Sequence, residues 1–245
     1  MNAVVATLVG GPTVLFSYAG LAVITDPTFN APGEYGGLVK TRGPAVPRPH
    51  LGAIDLALVS HDHHPDNLDD EGRVVLAGVP VVLTTMAGAT RLPGAVGLEP
   101  WTTVSIGGVT VTAVPAEHGP AGVAEHTGPV IGFVLEADGW PTIYFSGDNS
   151  EVAVAREIAA AFPEVQLAIL CAGAARVANR GPDPLTLDAA RMAEVADLWQ
   201  GATIVPVHIE DWAHFSEPRE ALVATWSGAS GRMTLLERGI ATQLN

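Results

Sequence analysis

Short apolar runs separated by turn residues fill the first half of the chain, and this pattern is typical of β-strands. The runs cover residues 3–9, 13–16, 21–25, 54–59, 79–83, 104–114, 130–135 and 142–145. Gly10-Gly11-Pro12 and Tyr18-Ala19-Gly20 separate the first three runs. We therefore predict that the chain opens with a β-meander, in which consecutive strands pair with one another.

Helical spacing appears in the second half of the chain. Ser150 is expected to cap a helix that ends near residue 161, with Glu151 close to the positive end of the helix dipole. A second helix is predicted within residues 185–200, where apolar side chains recur at i, i+3, i+4 and i+7, namely Met192, Val195, Ala196 and Trp199. A third helix opens at Ser216-Glu217-Pro218, with proline in its first turn.

Strand-like runs at 165–170 and 202–207 alternate with these helices. Hairpins followed by helix–strand alternation predict an α/β fold, in which two mixed sheets pack together and are flanked by helices. No linker-like segment divides the chain, so we predict a single domain over residues 1–245.

The composition narrows the classes of function. The chain has 245 residues, of which 48% are hydrophobic, and a formal net charge of −14. Its only lysine is Lys40, so it lacks the clustered basic side chains that bind nucleic-acid phosphates. No apolar stretch reaches the roughly 20 residues that span a bilayer, and the first residues lack the basic start of a secretory signal. We expect a cytoplasmic protein that binds neither nucleic acid nor membrane.

Four apolar runs stop at a histidine or an aspartate. Residues 56–60 lead into His61, 109–115 into His118, 142–146 into Asp148, and 202–207 into His208. The strands of a sheet can bring their ends together, however far apart they lie in the sequence. Imidazole and carboxylate groups gathered at a sheet edge suit zinc, manganese or iron. The pattern therefore predicts a metal site built from distant segments.

Histidines concentrate in the turn His61-Asp62-His63-His64-Pro65-Asp66. Residues at i and i+2 of a loop can face one ion, and a carboxylate slightly further along can face a neighbouring ion. Three histidines in four residues are hard to explain as a solvated turn. Taken alone, His118 and His208 could be surface histidines and Asp148 could be a helix cap. Their interpretation as metal ligands depends on the position at strand ends that they share.

These segments also carry a family resemblance. Residues 61–69 resemble the H-x-H-x-D-H signature of the metallo-β-lactamase superfamily, and residues 114–119, 143–148 and 205–208 resemble its later metal-binding segments in the same order. Thr25-Asp26-Pro27 is similar to its early Asp-Pro turn. The resemblance implies a four-layer αββα sandwich with metals at one edge of the two sheets. It is closest to the branch of sugar-acid lactonases and N-acyl-phospholipid phosphodiesterases.

The resemblance also implies a ligand set. A first ion would be held by His61, His63 or His64, and His118, while a second would be held by Asp66 and His208, with Asp148 bridging. There is one residue too many between His61 and Asp66, so either His63 or His64 is the second histidine. His64 is slightly favoured because His64-Pro65-Asp66 keeps the H-x-D spacing.

Asn67 is the second departure from the signature, because it stands where a histidine usually binds the second ion. A neutral amide is a poor zinc ligand. One or two divalent ions are therefore expected, with zinc favoured over manganese or iron.

The implied activity is metal-dependent hydrolysis. The metal would activate a water molecule for attack on a small lactone, ester, amide or phosphodiester, and Asp66 would orient that water or pass on its proton. Asn67 and the altered spacing support an alternative, a catalytically idle metal-binding or regulatory module. A di-iron redox protein fits less well, because the chain lacks a glutamate at the second ligand position.

The substrate is expected to be a small molecule. His214 follows His208 by six residues and is a candidate substrate-binding or proton-donating residue, although a packed loop histidine is the alternative. Residues 26–49 and 117–129 are expected to form the pocket walls. The sequence does not determine the oligomeric state, and a homo-oligomer is compatible with it.

Overall fold

The computed structural model places the strands in two seven-stranded sheets and a separate two-stranded hairpin. It describes residues 2–120, 127–226 and 231–244. In chain order the strands are β1 (Val4–Gly10), β2 (Thr13–Tyr18), β3 (Leu21–Thr25), β4 (Gly33–Tyr35), β5 (Leu38–Lys40), β6 (Leu56–Leu58), β7 (Val81–Thr85), β8 (Val96–Leu98), β9 (Thr103–Ile106), β10 (Val109–Ala116), β11 (Val130–Glu136), β12 (Thr142–Phe145), β13 (Val165–Cys171), β14 (Thr203–Val207), β15 (Arg232–Met233) and β16 (Ala241–Leu244).

The first sheet has the strand order β16-β1-β2-β3-β6-β7-β8 and the second has the order β15-β14-β13-β12-β11-β10-β9. Strands β1, β2 and β3 pair antiparallel in sequence order, so the predicted β-meander is present. Strands β12, β13 and β14 are parallel. Strand β10 runs in the same direction as β12, because β11 between them is antiparallel to both. The carboxyl ends of β10, β12 and β14 therefore meet at one edge.

The helices lie between these strands in the sequence: α1 (Asp70–Leu76), α2 (Met86–Ala89), α3 (Val152–Ala161), α4 (Ala189–Leu198) and α5 (Arg219–Trp226). The three helices predicted in the second half are α3, α4 and α5. The prediction that Ser150 caps α3 is wrong. The N-cap residue is Glu151, without a side-chain cap, and the Ser150 hydroxyl donates to the Glu117 carbonyl instead.

Three apolar clusters hold the layers together. The cluster between the sheets joins side chains from both, including Phe16, Phe133, Phe145 and Ile169. The outer face of the second sheet packs against α3, α4 and α5 through side chains that include Tyr144, Ile158, Met192 and Leu222. The outer face of the first sheet packs against α1, and its cluster includes Ile24, Leu68 and Val75. This is the αββα sandwich predicted from the sequence.

The apolar run at 104–114 is a hairpin rather than one strand. Gly107 and Gly108, both at positive φ, turn the chain between β9 and β10, which then pair antiparallel. Glycine adopts such angles readily because it has no Cβ. The single-domain assignment stays a prediction. Within the described ranges, none of the helices combines the length and the apolar character needed to cross a bilayer.

Candidate metal centre

Four strand ends deliver the predicted side chains to one place. His61 lies just beyond β6 of the first sheet, while His118, Asp148 and His208 follow β10, β12 and β14 of the second. All four residues are buried, with His118 the most exposed at 8%. Buried imidazoles and carboxylates are costly unless they are paired or bind a metal. The structure thus brings together groups that are far apart in the sequence.

The first group consists of His61, His64 and His118. His61 Nε2 lies 2.9 Å from His64 Nδ1, and that atom lies 3.3 Å from His118 Nε2. His118 Nδ1 lies 2.7 Å from the Leu185 carbonyl oxygen. Because a carbonyl only accepts, His118 Nδ1 carries the proton and Nε2 presents its lone pair to the group. Such outer hydrogen bonds commonly fix the tautomer of metal-binding histidines.

His61 is oriented in a similar way. Its Nδ1 lies 3.0 Å from Ser60 Oγ, and that hydroxyl donates to Asp26 Oδ2 at 2.7 Å. The Ser60 oxygen is thus free to accept from His61 Nδ1, which leaves His61 Nε2 as a lone pair. Burial lowers the pKa of His61 well below its ordinary value, and the adjacent His64 imidazole lowers it further. The neutral imidazole is the form that binds a metal.

The second group consists of Asp66, Asp148 and His208. His208 Nε2 lies 3.4 Å from Asp66 Oδ2 and 3.6 Å from Asp148 Oδ2. Tetrahedral zinc with bonds near 2.0–2.1 Å separates its ligand atoms by roughly 3.3 Å. The distances in both groups are close to this spacing, so each group could hold a divalent ion.

The charges in the second group are strongly coupled. Burial alone would raise the pKa of Asp66, but His208 and His214 hold it well below its ordinary value. The pKa of Asp148 is likewise lowered, because His208 and His118 outweigh its burial. Burial opposes protonation of His208, yet Asp148 and Asp66 raise its pKa to about 10. Both aspartates are therefore ionised at neutral pH, which is the form that binds a cation.

Asp148 lies between the two groups. Its Oδ2 is 3.7 Å from His118 Nε2 in the first group and 3.6 Å from His208 Nε2 in the second. Its Oδ1 accepts a hydrogen bond of 3.1 Å from Asn67 Nδ2, which also donates to Asp26 Oδ2 at 3.2 Å. Asn67 thus turns one oxygen of Asp148 toward both groups, as a bridging ligand requires.

His63 lies outside both groups, so the structure places only one of the two alternative histidines at the centre. Its Nε2 accepts from Arg91 Nη2 at 3.0 Å, and its ring lies so close to Gly128 that a Cβ there would stand 2.7 Å from His63 Cε1. This grouping favours His64 over His63 as the second histidine of the first group, and the choice stays a prediction.

Sequence reasoning gave no role to the residues that orient the ligands. Ser60 and Asp26 fix His61, and the Leu185 carbonyl fixes His118. The position of Asp26 just after β3 was a usable signal, since the neighbouring strand β6 ends beside it. No sequence feature could have predicted the role of the Leu185 carbonyl, because a backbone group can be supplied by any residue type.

A cavity of 560 Å³ opens onto both groups, and His64, Asp66, His118 and His214 lie in its wall. The expected walls are partly found. Gly36 to Leu38 from the 26–49 segment and Thr127 from the 117–129 segment line the cavity, whereas residues 121–126 lie outside the described residues. A further wall, formed by residues 175–180, was not predicted.

Comparison with known proteins agrees with this geometry. The family model described as a β-lactamase superfamily domain matches residues 22–209, which include both ligand groups. The chain belongs to the β-lactamase superfamily. The predicted αββα architecture is thereby confirmed, while the lactonase and phosphodiesterase branch is not.

Relatives of this superfamily member carry hydrolase names. It is 27% identical over 222 residues to a UPF0173 metal-dependent hydrolase of Anaeromyxobacter dehalogenans, covering 80% of this chain and 74% of the relative. An isothiocyanate hydrolase from Delia radicum gut bacteria superposes with a TM-score of 0.83 at 20% identity, covering 97% of this chain and 98% of that one. A structure described as a possible metal-dependent hydrolase from Veillonella parvula has a TM-score of 0.82 at 15% identity, with coverage of 99% and 100%. The predicted enzyme class, a metal-dependent hydrolase, is confirmed at this level.

Proposed function

We propose that this metal-dependent hydrolase cleaves a small lactone, ester, amide or phosphodiester in the cavity beside the two ligand groups. The observation that carries the proposal is that one 560 Å³ cavity is lined by residues of both groups, including His64 and Asp66. Cavities of about 300–1,000 Å³ suit small molecules. A substrate bound there would lie directly against the candidate metal ligands.

The donor sets fit divalent cations. The first group offers three imidazole nitrogens, and the second offers two carboxylates and an imidazole. Nitrogen and oxygen donors at this spacing favour zinc, with manganese or iron as alternatives. A bound ion of this kind would polarise the scissile group and lower the pKa of a water molecule.

Asp66 is proposed as the residue that handles the proton of the attacking water. Its pKa is held below the ordinary value by His208 and His214 despite its burial, so the carboxylate is ionised and can accept a hydrogen bond. It lies in the cavity wall, within reach of a bound substrate. Asp148, whose Oδ1 is held by Asn67, would bridge the two ligand groups.

The substrate class is tested with a panel. Lactones and phosphodiesters represent the branch that the motifs resemble, and simple esters and amides represent other carbonyl substrates. An isothiocyanate is included because a structural relative is named for hydrolysing one. Purified protein should turn over at least one class, lose that activity when chelated, and regain it when Zn²⁺ or Mn²⁺ is returned.

The alternative is an idle metal-binding or regulatory module, which the buried Asn67 favours because its amide nitrogen is committed to two carboxylates. The substitutions His118→Ala and Asp148→Ala separate the two functions. A hydrolase loses turnover in both variants. Protein that binds metal but hydrolyses no member of the panel would support the idle module instead.

A further inference from the structure

We propose that His214 is a ligand of the second ion, alongside Asp66, Asp148 and His208. The inference rests on the proposed metal-dependent function and goes beyond it, because it assigns the ion a ligand from the loop after β14. The observation that carries it is a shared contact. His214 Nε2 lies 3.0 Å from Asp66 Oδ2, the same oxygen that lies 3.4 Å from His208 Nε2.

Two imidazole nitrogens, those of His208 and His214, approach the same carboxylate oxygen of Asp66. Ligand atoms on a tetrahedral zinc ion stand roughly 3.3 Å apart, and the two distances to Asp66 Oδ2 lie on either side of this value. The His214 side chain is also 90% buried, with 10% of its surface exposed. His214 is therefore packed against the second ligand group and is not a surface histidine.

Several polar atoms around the second group have no hydrogen-bond partner, although Asp66 Oδ2 contacts His214 Nε2. Asp66 Oδ1, both ring nitrogens of His208 and His214 Nδ1 are buried without a hydrogen bond. The first group differs, since His61 Nδ1 and His118 Nδ1 both have protein partners. Unsatisfied buried polar atoms are rare, and a bound water or ion is one way to satisfy them. Asp66 Oδ1 and His208 Nε2 are the two of these atoms that a cation in the second group could contact.

Packing holds the His214 ring in its position. Phe215 contacts both imidazoles, with ring centroids 4.5 Å from His208 and 4.6 Å from His214. The His214 carbonyl accepts from the Arg176 backbone N–H at 2.9 Å, and the Ala213 N–H donates to the Val39 carbonyl at 2.9 Å. A side chain fixed in this way is preorganised for binding, as a metal ligand should be.

Asn67 explains why a histidine from another segment is useful here. Its amide nitrogen already donates to Asp26 Oδ2 at 3.2 Å and to Asp148 Oδ1 at 3.1 Å. The amide is therefore locked with its nitrogen toward these carboxylates. Of the side chains around Asp66, His214 is the one that adds a second nitrogen donor beside His208.

A competing role for His214 is to hydrogen-bond Asp66 without touching the ion. Glutamine distinguishes the two roles, because its side-chain N–H can still donate to Asp66, whereas it lacks the imidazole lone pair. Chelator-stripped wild type, His214→Ala and His214→Gln are titrated with Zn²⁺ against a competing chelator. Titration with Co²⁺ adds a visible spectrum that reports ligand number. His63→Ala, which removes a cavity-lining histidine outside both groups, is the matched control for metal content, and circular dichroism checks folding.

Wild type and the control should bind two ions per chain. Both His214 variants should keep the first ion but bind the second at least about 100-fold more weakly, since losing even an outer partner of a ligand costs roughly 10- to 100-fold. Wild-type affinity for the second ion in His214→Gln or in His214→Ala overturns the inference, as does a wild type that binds a single ion. These results leave the hydrolase proposal standing. A wild type that binds no metal overturns both.

Discussion

At the residue scale, the direction of one turn decides which histidine faces the centre. Asp62 is buried and accepts a two-pronged contact from Arg91, at 2.8 Å to Nε and 2.5 Å to Nη2. This contact holds Asp62 and the following His63 on the Arg91 side, while His64 turns inward to His61. Sequence spacing alone left the choice open, because it depends on the dihedral angles of the turn.

Replacing each of these histidines tests the assignment. His64→Ala removes one of three nitrogens of the first group and should weaken binding of the first Zn²⁺ by at least about 100-fold, which exceeds the cost of losing an outer partner. His63→Ala should leave that affinity within about threefold of wild type, since outlying substitutions have small effects. Competition with a chromophoric chelator measures both. The reverse order of effects would restore His63 as the ligand.

The Asp62–Arg91 pair predicts a pH dependence. Burial alone would raise the pKa of Asp62, but the Arg91 hydrogen bonds and charge lower it below its ordinary value. A carboxyl with a depressed folded pKa contributes stability above its unfolded pKa near 3.9, and the contribution is lost as the pH falls through the folded pKa. Arg91→Leu should therefore destabilise the protein at pH 7, by about 1 kcal/mol because Arg91 is partly solvated, and less at pH 3. Urea unfolding at both pH values measures this, and an equal loss at both would contradict it.

At the element scale, Asp69 joins helix α1 to the segment 26–49. One of its oxygens caps α1 by accepting from the Gly72 N–H at 2.8 Å and also accepts from the Phe29 N–H. The other accepts from the Asn30 N–H and from Lys40 Nζ at 3.0 Å, with both charged side chains almost fully buried. One carboxylate thus secures the helix that follows the ligand turn and the segment that walls the cavity.

Removing that charge should be costly. Asp69→Asn leaves Lys40 buried without its counter-charge, and breaking a buried pair on one side costs about 3–5 kcal/mol. The double variant with Lys40→Met should recover part of this loss, because it removes the stranded ammonium. Denaturant unfolding gives both values. A single variant within about 1 kcal/mol of wild type, a typical surface effect, would show that the pair contributes little.

The elements themselves were largely predictable from the hydrophobic pattern. Short apolar runs between turn residues identified most of the strands, though not β4, β5, β8, β15 and β16. The i, i+3, i+4 spacing around Met192 identified α4, although its true start is set by the Asp188 cap. The hairpin of β9 and β10 was missed because its strands join into one apolar run across Gly107-Gly108. The positions of His61, His118, Asp148 and His208 at strand ends predicted that they converge. Which strands lie side by side could not be predicted, since strand order is a property of the sheet and not of local sequence.

At the scale of the whole molecule, the centre joins the two sheets. His61, His64 and Asp66 follow a strand of the first sheet, whereas His118, Asp148 and His208 follow strands of the second. Each ligand group thus takes residues from both sheets. Metal binding should therefore stabilise the sandwich as a unit.

Metal removal tests this coupling. An ion that binds only the folded state stabilises it by about 2.7 kcal/mol when its concentration is 100 times its dissociation constant. Chelation should therefore lower the melting temperature, and returning Zn²⁺ should restore it. The control is Asp148→Ala, in which Zn²⁺ should raise the melting temperature less. A melting temperature that is indifferent to metal would argue against ions at the sheet edge.

The most direct test of the central claim is anomalous diffraction from crystals grown with Zn²⁺ and measured at the zinc edge. The account predicts one peak at about 2.0–2.1 Å from nitrogens of His61, His64 and His118, with a second among Asp66, Asp148 and His208. Peaks confined to other parts of the surface, or none at either group, would contradict it.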